Sequence, residues 1–154
     1  CGVKKGSGPG KYIASPTGAP RAESINVSGQ SNEGDPVSGS MEFRIKRIPD
    51  PYMFLGAKKS GAIPKAVAKA QLGIRAQNND FVFDVKYRIV GFDLIYAPRS
   101  GPVLSEQSKN NKFSEGQKII LQRMKGGDRL FFSNVKVRMP DGTTRQLATN
   151  YTIL

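Results

Sequence analysis

The sequence predicts a β-dominated α+β fold: a partial sandwich of short strands, then a β-rich terminal domain with one main helix. Three observations predict it. Several runs of 4–10 residues alternate apolar and polar side chains and are bounded by Gly, Pro, Asn and Asp, as strands are. One segment near residue 120 shows helical spacing with its own start and stop signals. The 154 residues are 38% hydrophobic with 17 glycines and 10 prolines, enough apolar content for a core and many turns.

Residues 1–40 hold short strand signals at Lys11-Tyr12-Ile13-Ala14 and Glu23-Ser24-Ile25-Asn26-Val27. Turn formers surround them: Gly8-Pro9-Gly10, Ser15-Pro16-Thr17-Gly18 and Gly34-Asp35-Pro36. These are two or three strands of a sandwich, too few to bury a core alone. Met41 to Ile48 alternates, with Met41, Phe43 and Ile45 on the expected inner face and Glu42, Arg44 and Lys46 outside. Pro49-Asp50-Pro51 should end that strand, because proline lacks a donor and fixes φ. Residues 52–63 read as a loop, and Pro64 to Ala70 as a short helix with proline in its first turn.

Phe81 to Ala97 carries the strongest strand signal. Phe81, Phe83, Val85, Tyr87 and Ile89 share one phase; Val90, Phe92, Leu94 and Tyr96 share the other. A phase flip beside Gly91 predicts a bulge or bend at Val90-Gly91. Ser114 to Lys125 is the expected helix. Ser114 is its cap, Gln117 completes a capping box, Ile120, Leu121 and Met124 form its stripe, and Gly126-Gly127 closes it. Leu130 to Met139 and Arg145 to Ile153 flank Pro140-Asp141-Gly142-Thr143 and should form a hairpin.

The chain has no histidine and one cysteine, Cys1. Ser–His and Cys–His nucleophilic sites are therefore excluded within it, and a zinc set has too few soft ligands. No phosphate-binding Gly-Lys-Ser/Thr loop or dinucleotide-binding glycine pattern occurs. Asp80, Asp84 and Asp93 read as solvated or salt-bridged surface acids, with no calcium-loop spacing. The expectation is a protein that is not an enzyme, with no cofactor and no metal. No apolar stretch reaches the roughly 18 residues of a membrane span. The residues after Cys1 lack the apolar region of a signal peptide, so the chain is expected to be the mature or trimmed part of something longer.

What remains is charge. Twenty-four basic residues against 12 acidic give +12 and a pI near 10.0. Such a protein seeks an acidic partner. Three strands carry basic pairs on their polar phase: Arg44 and Lys46, Lys86 and Arg88, and Lys136 and Arg138. If those strands are neighbours, the pairs form one basic patch, although scattered charges that merely solvate the surface give the same pattern. Pro51-Tyr52-Met53-Phe54-Leu55 is a second candidate, either tucked into the core or presented as an anchor. Arg47, Tyr52 and Phe54 are its candidate contacts.

Five segments resemble the GldM/PorM family of gliding-motility and type nine secretion proteins, in chain order. Met41 to Pro51 resembles its FRVKRIPDP segment, Asp80 to Tyr87 its FDFDxKFKV segment, and Asn111 to Lys118 its NKFTxxQK segment. Gly127 to Leu130 and Pro140 to Arg145 are similar to its last hairpin region. The resemblance covers residues 39–154 and implies the C-terminal domain of that family. It also implies that residues 1–38 are the later strands of a preceding immunoglobulin-like domain, incomplete or completed by another copy through swapping. It implies a homodimeric periplasmic stalk anchored in the inner membrane. With a GldL-type (PorL) membrane partner, bound through a part absent from this chain, that stalk would form a motor driven by the proton gradient. The far end would meet the GldK/GldN-type (PorK/PorN) ring proteins and pass on conformational change. On that reading this fragment contacts neither nucleic acid nor membrane directly. The loop after Pro51 departs from the family's pattern.

Two other readings compete. A basic β-domain could bind nucleic acid or another acidic ligand, using aromatics such as Tyr87, Phe92 and Tyr96 for stacking; most of these alternate inward, and no RNP1-like segment is present. A carbohydrate-binding sandwich would need an exposed aromatic platform, yet the chain has no tryptophan.

Overall fold

The computed structural model describes residues 2–16, 21–82 and 84–154. Cys1, residues 17–20 of the expected second turn, and Phe83 lie outside the described residues. The chain divides into two compact units, Cys1–Ile48 and Pro49–Leu154. Among the described residues no helix is long and apolar enough to cross a membrane.

The first unit consists of two antiparallel ribbons. β1 (Gly2–Lys5) pairs with β2 (Tyr12–Ser15), and β3 (Arg21–Gln30) with β4 (Pro36–Ile45). Ser31 shapes the β3–β4 turn, its hydroxyl accepting from the Glu33 and Asp35 N–H groups. β4 is longer at its start than the alternation predicted, because Pro36, which reads as a turn former, serves as a first strand residue, where its missing donor costs no ladder bond. β4 is laddered to β3 along its whole length, from Gln30↔Pro36 to Arg21↔Ile45. Phe43, expected to face a core, is 46% exposed. A two-stranded ribbon has no second layer against which to bury a face.

The second unit is a five-stranded sheet of order β6-β11-β10-β8-β9 with two helices and a small ribbon. Its strands are β6 (Gly61–Ile63), β8 (Arg88–Ala97), β9 (Leu104–Ser108), β10 (Arg129–Arg138) and β11 (Thr144–Ile153). β5 (Tyr52–Phe54) and β7 (Arg75–Gln77) form the separate ribbon. β5 and β6 correct the expectation of a loop over 52–63. They are short strands recruited by partners distant in sequence, β7 and the parallel β11.

β10 is the centre of the sheet. Its register shifts against β11 between Phe132 and Val135 and against β8 between Ser133 and Lys136. Asn134 sits there at φ 49°, and its side chain donates to Asp93 at 2.6 Å and accepts from Gln146 at 2.5 Å. On β8 the pairing moves from Lys136↔Gly91 to Val137↔Ile89, leaving Val90 as an extra residue. Each bulge flips the phase of its strand. Leu130 and Phe132 before the first bulge, and Val135 and Val137 after it, are therefore all buried. Ile89 and then Phe92, Leu94 and Tyr96 are likewise buried on β8. Gly91 also lets the next chain come close, since a Cβ there would stand 3.0 Å from the Ser108 carbonyl oxygen.

β8 begins only at Arg88, which corrects the expectation of a strand from residue 81. Its ladder partner runs out: Arg138 is the last paired residue of β10, and the turn around Asp141 follows. Apolar alternation cannot make a strand without a neighbour.

The core is aromatic. Phe92, Phe113, Phe132 and Tyr151 pack with centroids 5.7–6.3 Å apart, two of the contacts edge-to-face. α2 (Glu115–Arg123) adds Ile120 and Leu121, and its C-cap Met124 is buried as well. The Ser114–Gln117 capping box forms as the sequence predicts, and Gln117, fully buried, also donates to the Glu106 carbonyl at 2.9 Å. α1 (Lys65–Ala70) follows Pro64 and buries Ala68. Met53, Phe54 and Leu55 join the same core. Tyr151 fastens that segment: its hydroxyl accepts from the Leu55 N–H at 3.1 Å and lies 2.9 Å from the Lys58 carbonyl. At Gly73, any Cβ would fall 2.1 Å from the Asn111 carbonyl oxygen, so the bridge from this loop to Lys112 requires glycine.

Tyr151→Phe should destabilise the chain by about 0.5–1.5 kcal/mol, because it removes the hydroxyl's bonds to the Leu55 N–H and the Lys58 carbonyl, while the Leu55 N–H keeps its bond to the Lys58 carbonyl at 3.0 Å. Urea unfolding followed by circular dichroism measures it; an unchanged midpoint would show the hydroxyl to be dispensable.

Candidate docking surface

The outer face of the sheet in the second unit brings four of the sequence's basic candidates close together. Arg88 on β8 and Arg138 on β10 are direct ladder partners. Between them and the core lie Ile89 and Val137, also partners and both buried, so the two arginines project from the solvent side. Lys136, two residues earlier on β10, stands opposite side-chain-free Gly91 on one side and Gln146 on the other. Lys86, two residues before Arg88, is exposed and precedes the strand. Among the described residues no ion pair engages Lys86, Arg88, Lys136 or Arg138. Like charges directly opposite each other cost about 0.2–1 kcal/mol. Among the described residues no ion pair offsets that cost.

Arg44 and Lys46, the third expected pair, lie in the first unit, at and just beyond the end of β4, and are exposed. Arg47 is exposed nearby in sequence. Of the loop candidates, Tyr52 is 46% exposed and the Lys59 ammonium sits 3.9 Å above its ring. Phe54 takes the core position, one of the two that the sequence left open. It is 7% exposed because β5 turns Met53 and Phe54 together with Leu55 into the core. Phe92 and Tyr96, which a nucleic-acid platform would need on the outside, are buried at 2% and 6%.

The perturbed acids and phenols are structural. Asp128 is buried and accepts from the Tyr96 hydroxyl at 2.5 Å, the Arg99 N–H at 3.0 Å and the Lys125 N–H at 2.7 Å. Burial pushes its pKa up, yet these three bonds and the Lys125 charge outweigh burial and hold it below the ordinary value of 3.8. Tyr96 is pushed up to about 12, first by burial and then by the Asp128 carboxylate. Burial likewise drives Tyr151 to about 12. Tyr87 is raised by burial and by Asp50. Asp128 thus ties the end of α2 to β8 and the start of β10. Sequence reasoning missed it; an aspartate after a Gly-Gly helix stop gives no hint of three donors supplied from 29 to 32 residues away and from its own turn. Among the described residues no group of acidic or cysteine side chains could hold a metal ion.

The chain is thus a strand-dominated protein of the β class with one main helix. A family model, GldM C-terminal domain, matches residues 24–154. The match starts within β3 and takes in β4 and the whole second unit, so the chain belongs to the GldM C-terminal domain family, whose setting is gliding motility and type nine secretion. No curated protein matches the chain.

Tyr96→Phe tests the Asp128 cluster by pH. The native value of Asp128 lies below its unfolded value, so the stability it contributes is present above about pH 4 and is lost as pH falls through the native value. Removing the phenol raises that native value. The acid-unfolding midpoint should therefore move to higher pH. On the alkaline side, native Tyr96 contributes stability below about pH 10 that fades as pH rises through about 12; the variant should lack that part of the alkaline decline. Unfolding curves from pH 2 to 12 decide both limbs.

Proposed function

We propose that this chain is the periplasmic stalk-end domain of a proton-gradient-driven gliding and type nine secretion motor. It is part of an inner-membrane-anchored protein that meets a GldL-type partner elsewhere in its length. It works without bond chemistry: it docks on the GldK/GldN-type ring proteins beneath the outer membrane and passes conformational change to them. The observation that carries this reading is the in-register Arg88–Arg138 pair with Lys86 and Lys136 nearby in sequence, four cations that form no ion pair among the described residues. A surface that tolerates its own repulsion is suited to an acidic protein partner, which gives both steering and register. Membership of the GldM C-terminal domain family supports the setting.

The protein acts as a dimer, and the first unit supports that reading. One face of the β3–β4 ribbon carries Ile25, Val27, Val37, Met41, Phe43 and Ile45, because the ladder pairs residue 25 with 41 and 23 with 43. Val27, Val37, Met41 and Phe43 are 46–63% exposed. An exposed apolar sheet face of this size belongs against another layer. A second copy, completing an immunoglobulin-like sandwich by packing or strand exchange, is the layer proposed here.

The charge reversal K86E/R88E/K136E/R138E should abolish capture of the ring proteins in a pull-down, and unchanged capture would discard this face as the contact. Light scattering tests the dimer. The native chain should weigh about twice its 16.8 kDa, and Phe43→Glu should return it to monomer; a native monomer would remove the ribbon from the proposal.

A further inference from the structure

The second unit contains an open cleft of about 740 Å³ between β7 and the segment leading into β8. Its two walls are unfinished strand edges. β9 pairs with β8 only over Phe92–Tyr96, so Arg88, Ile89 and Val90 have β10 on one side and, among the described residues, no strand on the other. β7 pairs with β5 alone, which leaves the second edge of Arg75–Gln77 without a strand partner among the described residues. Both edges line this one cleft. At its closed end the backbone comes together, with the Ile74 N–H donating to the Asn111 carbonyl at 2.8 Å.

The lining has a clear sign. Arg75, Lys86, Arg88 and Lys109 are there with one carboxylate, Asp84. Arg75 donates to the Gly56 carbonyl at 2.8 Å; Lys86, Arg88 and Lys109 have no ion-pair partner among the described residues. Unpaired edges supply main-chain donors and acceptors, and an extended peptide that adds as a strand satisfies them. Cations on both sides select its side chains.

We infer that this cleft takes an extended acidic peptide segment of a partner protein as an added β-strand beside Arg88–Val90. The cleft shares Lys86 and Arg88 with the cationic face, so the inference rests on the docking reading and deepens it by naming the form of the partner's contact. An edge of three residues on each wall, at roughly 3.3 Å per residue, accommodates a short strand rather than a folded domain.

The probe is a fluorescein-labelled eight-residue peptide alternating Glu and Val, measured by anisotropy against the full chain. Its comparisons are the same peptide N-methylated on alternate amides and a Lys–Val version. The Glu–Val peptide should bind, the other two should not, and Lys109→Glu should weaken binding about tenfold. Backbone amides within Arg88–Val90 or Arg75–Gln77 should exchange more slowly with the peptide present. Lys65→Glu, exposed on α1 and outside both the cleft and the cationic face, should leave peptide binding within about twofold. Equal binding of the N-methylated peptide reduces the effect to charge attraction and overturns the inference. So does no binding, protection elsewhere, or an edge already protected without peptide, which would show that residues 78–87 fill it. The docking reading fails separately, if K136E/R138E leaves ring-protein capture intact while the peptide result stands.

Discussion

The pairing of β8 with β10 is the constraint on which this structure depends. Both strands must present apolar side chains to one core over ten residues, and neither sequence alternates without interruption. Two bulges solve this, one at Asn134 and one at Val90. Each adds a residue where the phase would otherwise carry valine and phenylalanine into water. Because register has a period of two, an uncorrected slip would turn half of each strand outward. The same pairing places Ile89 against Val137 inside and Arg88 against Arg138 outside. Core and cationic face are two sides of one ladder.

Around that ladder, buried polar groups hold the pieces that have little apolar surface of their own. Tyr151 fastens the segment around Leu55 to β11. Gln117 caps α2 and reaches the backbone of β9. Asp128 collects donors from β8, from the segment after it and from the end of α2. Each group is buried with its bonds made, which is the condition under which such groups stabilise. The perturbed acidities of Tyr96, Tyr151 and Asp128 follow from this packing role. They sit at junctions between elements.

The two units use their apolar residues differently. In the second, alternation is answered by helices and a ribbon on the inner face. In the first, the same kind of alternation on β3 and β4 meets no second layer, and its apolar phase stays exposed. The contrast supports the proposals that a second copy completes the first unit and that the second unit carries the charged contact.

Local signals made much of the fold legible. The α2 capping box, the turn at Asp141, the inward phase of β10 and the irregularity beside Gly91 are written in consecutive residues, and each has a mechanism that acts within a few positions. The basic pairs were legible as outward phases for the same reason. Only the tertiary structure decided that Arg88 faces Arg138, that Phe54 is core, that β8 starts at residue 88, and that β4 belongs with β3. Those outcomes turn on which strand lies alongside which. A residue's own neighbours set the direction of its side chain, but strand pairing between residues tens of positions apart determines whether that direction leads to core, to solvent or to an open edge.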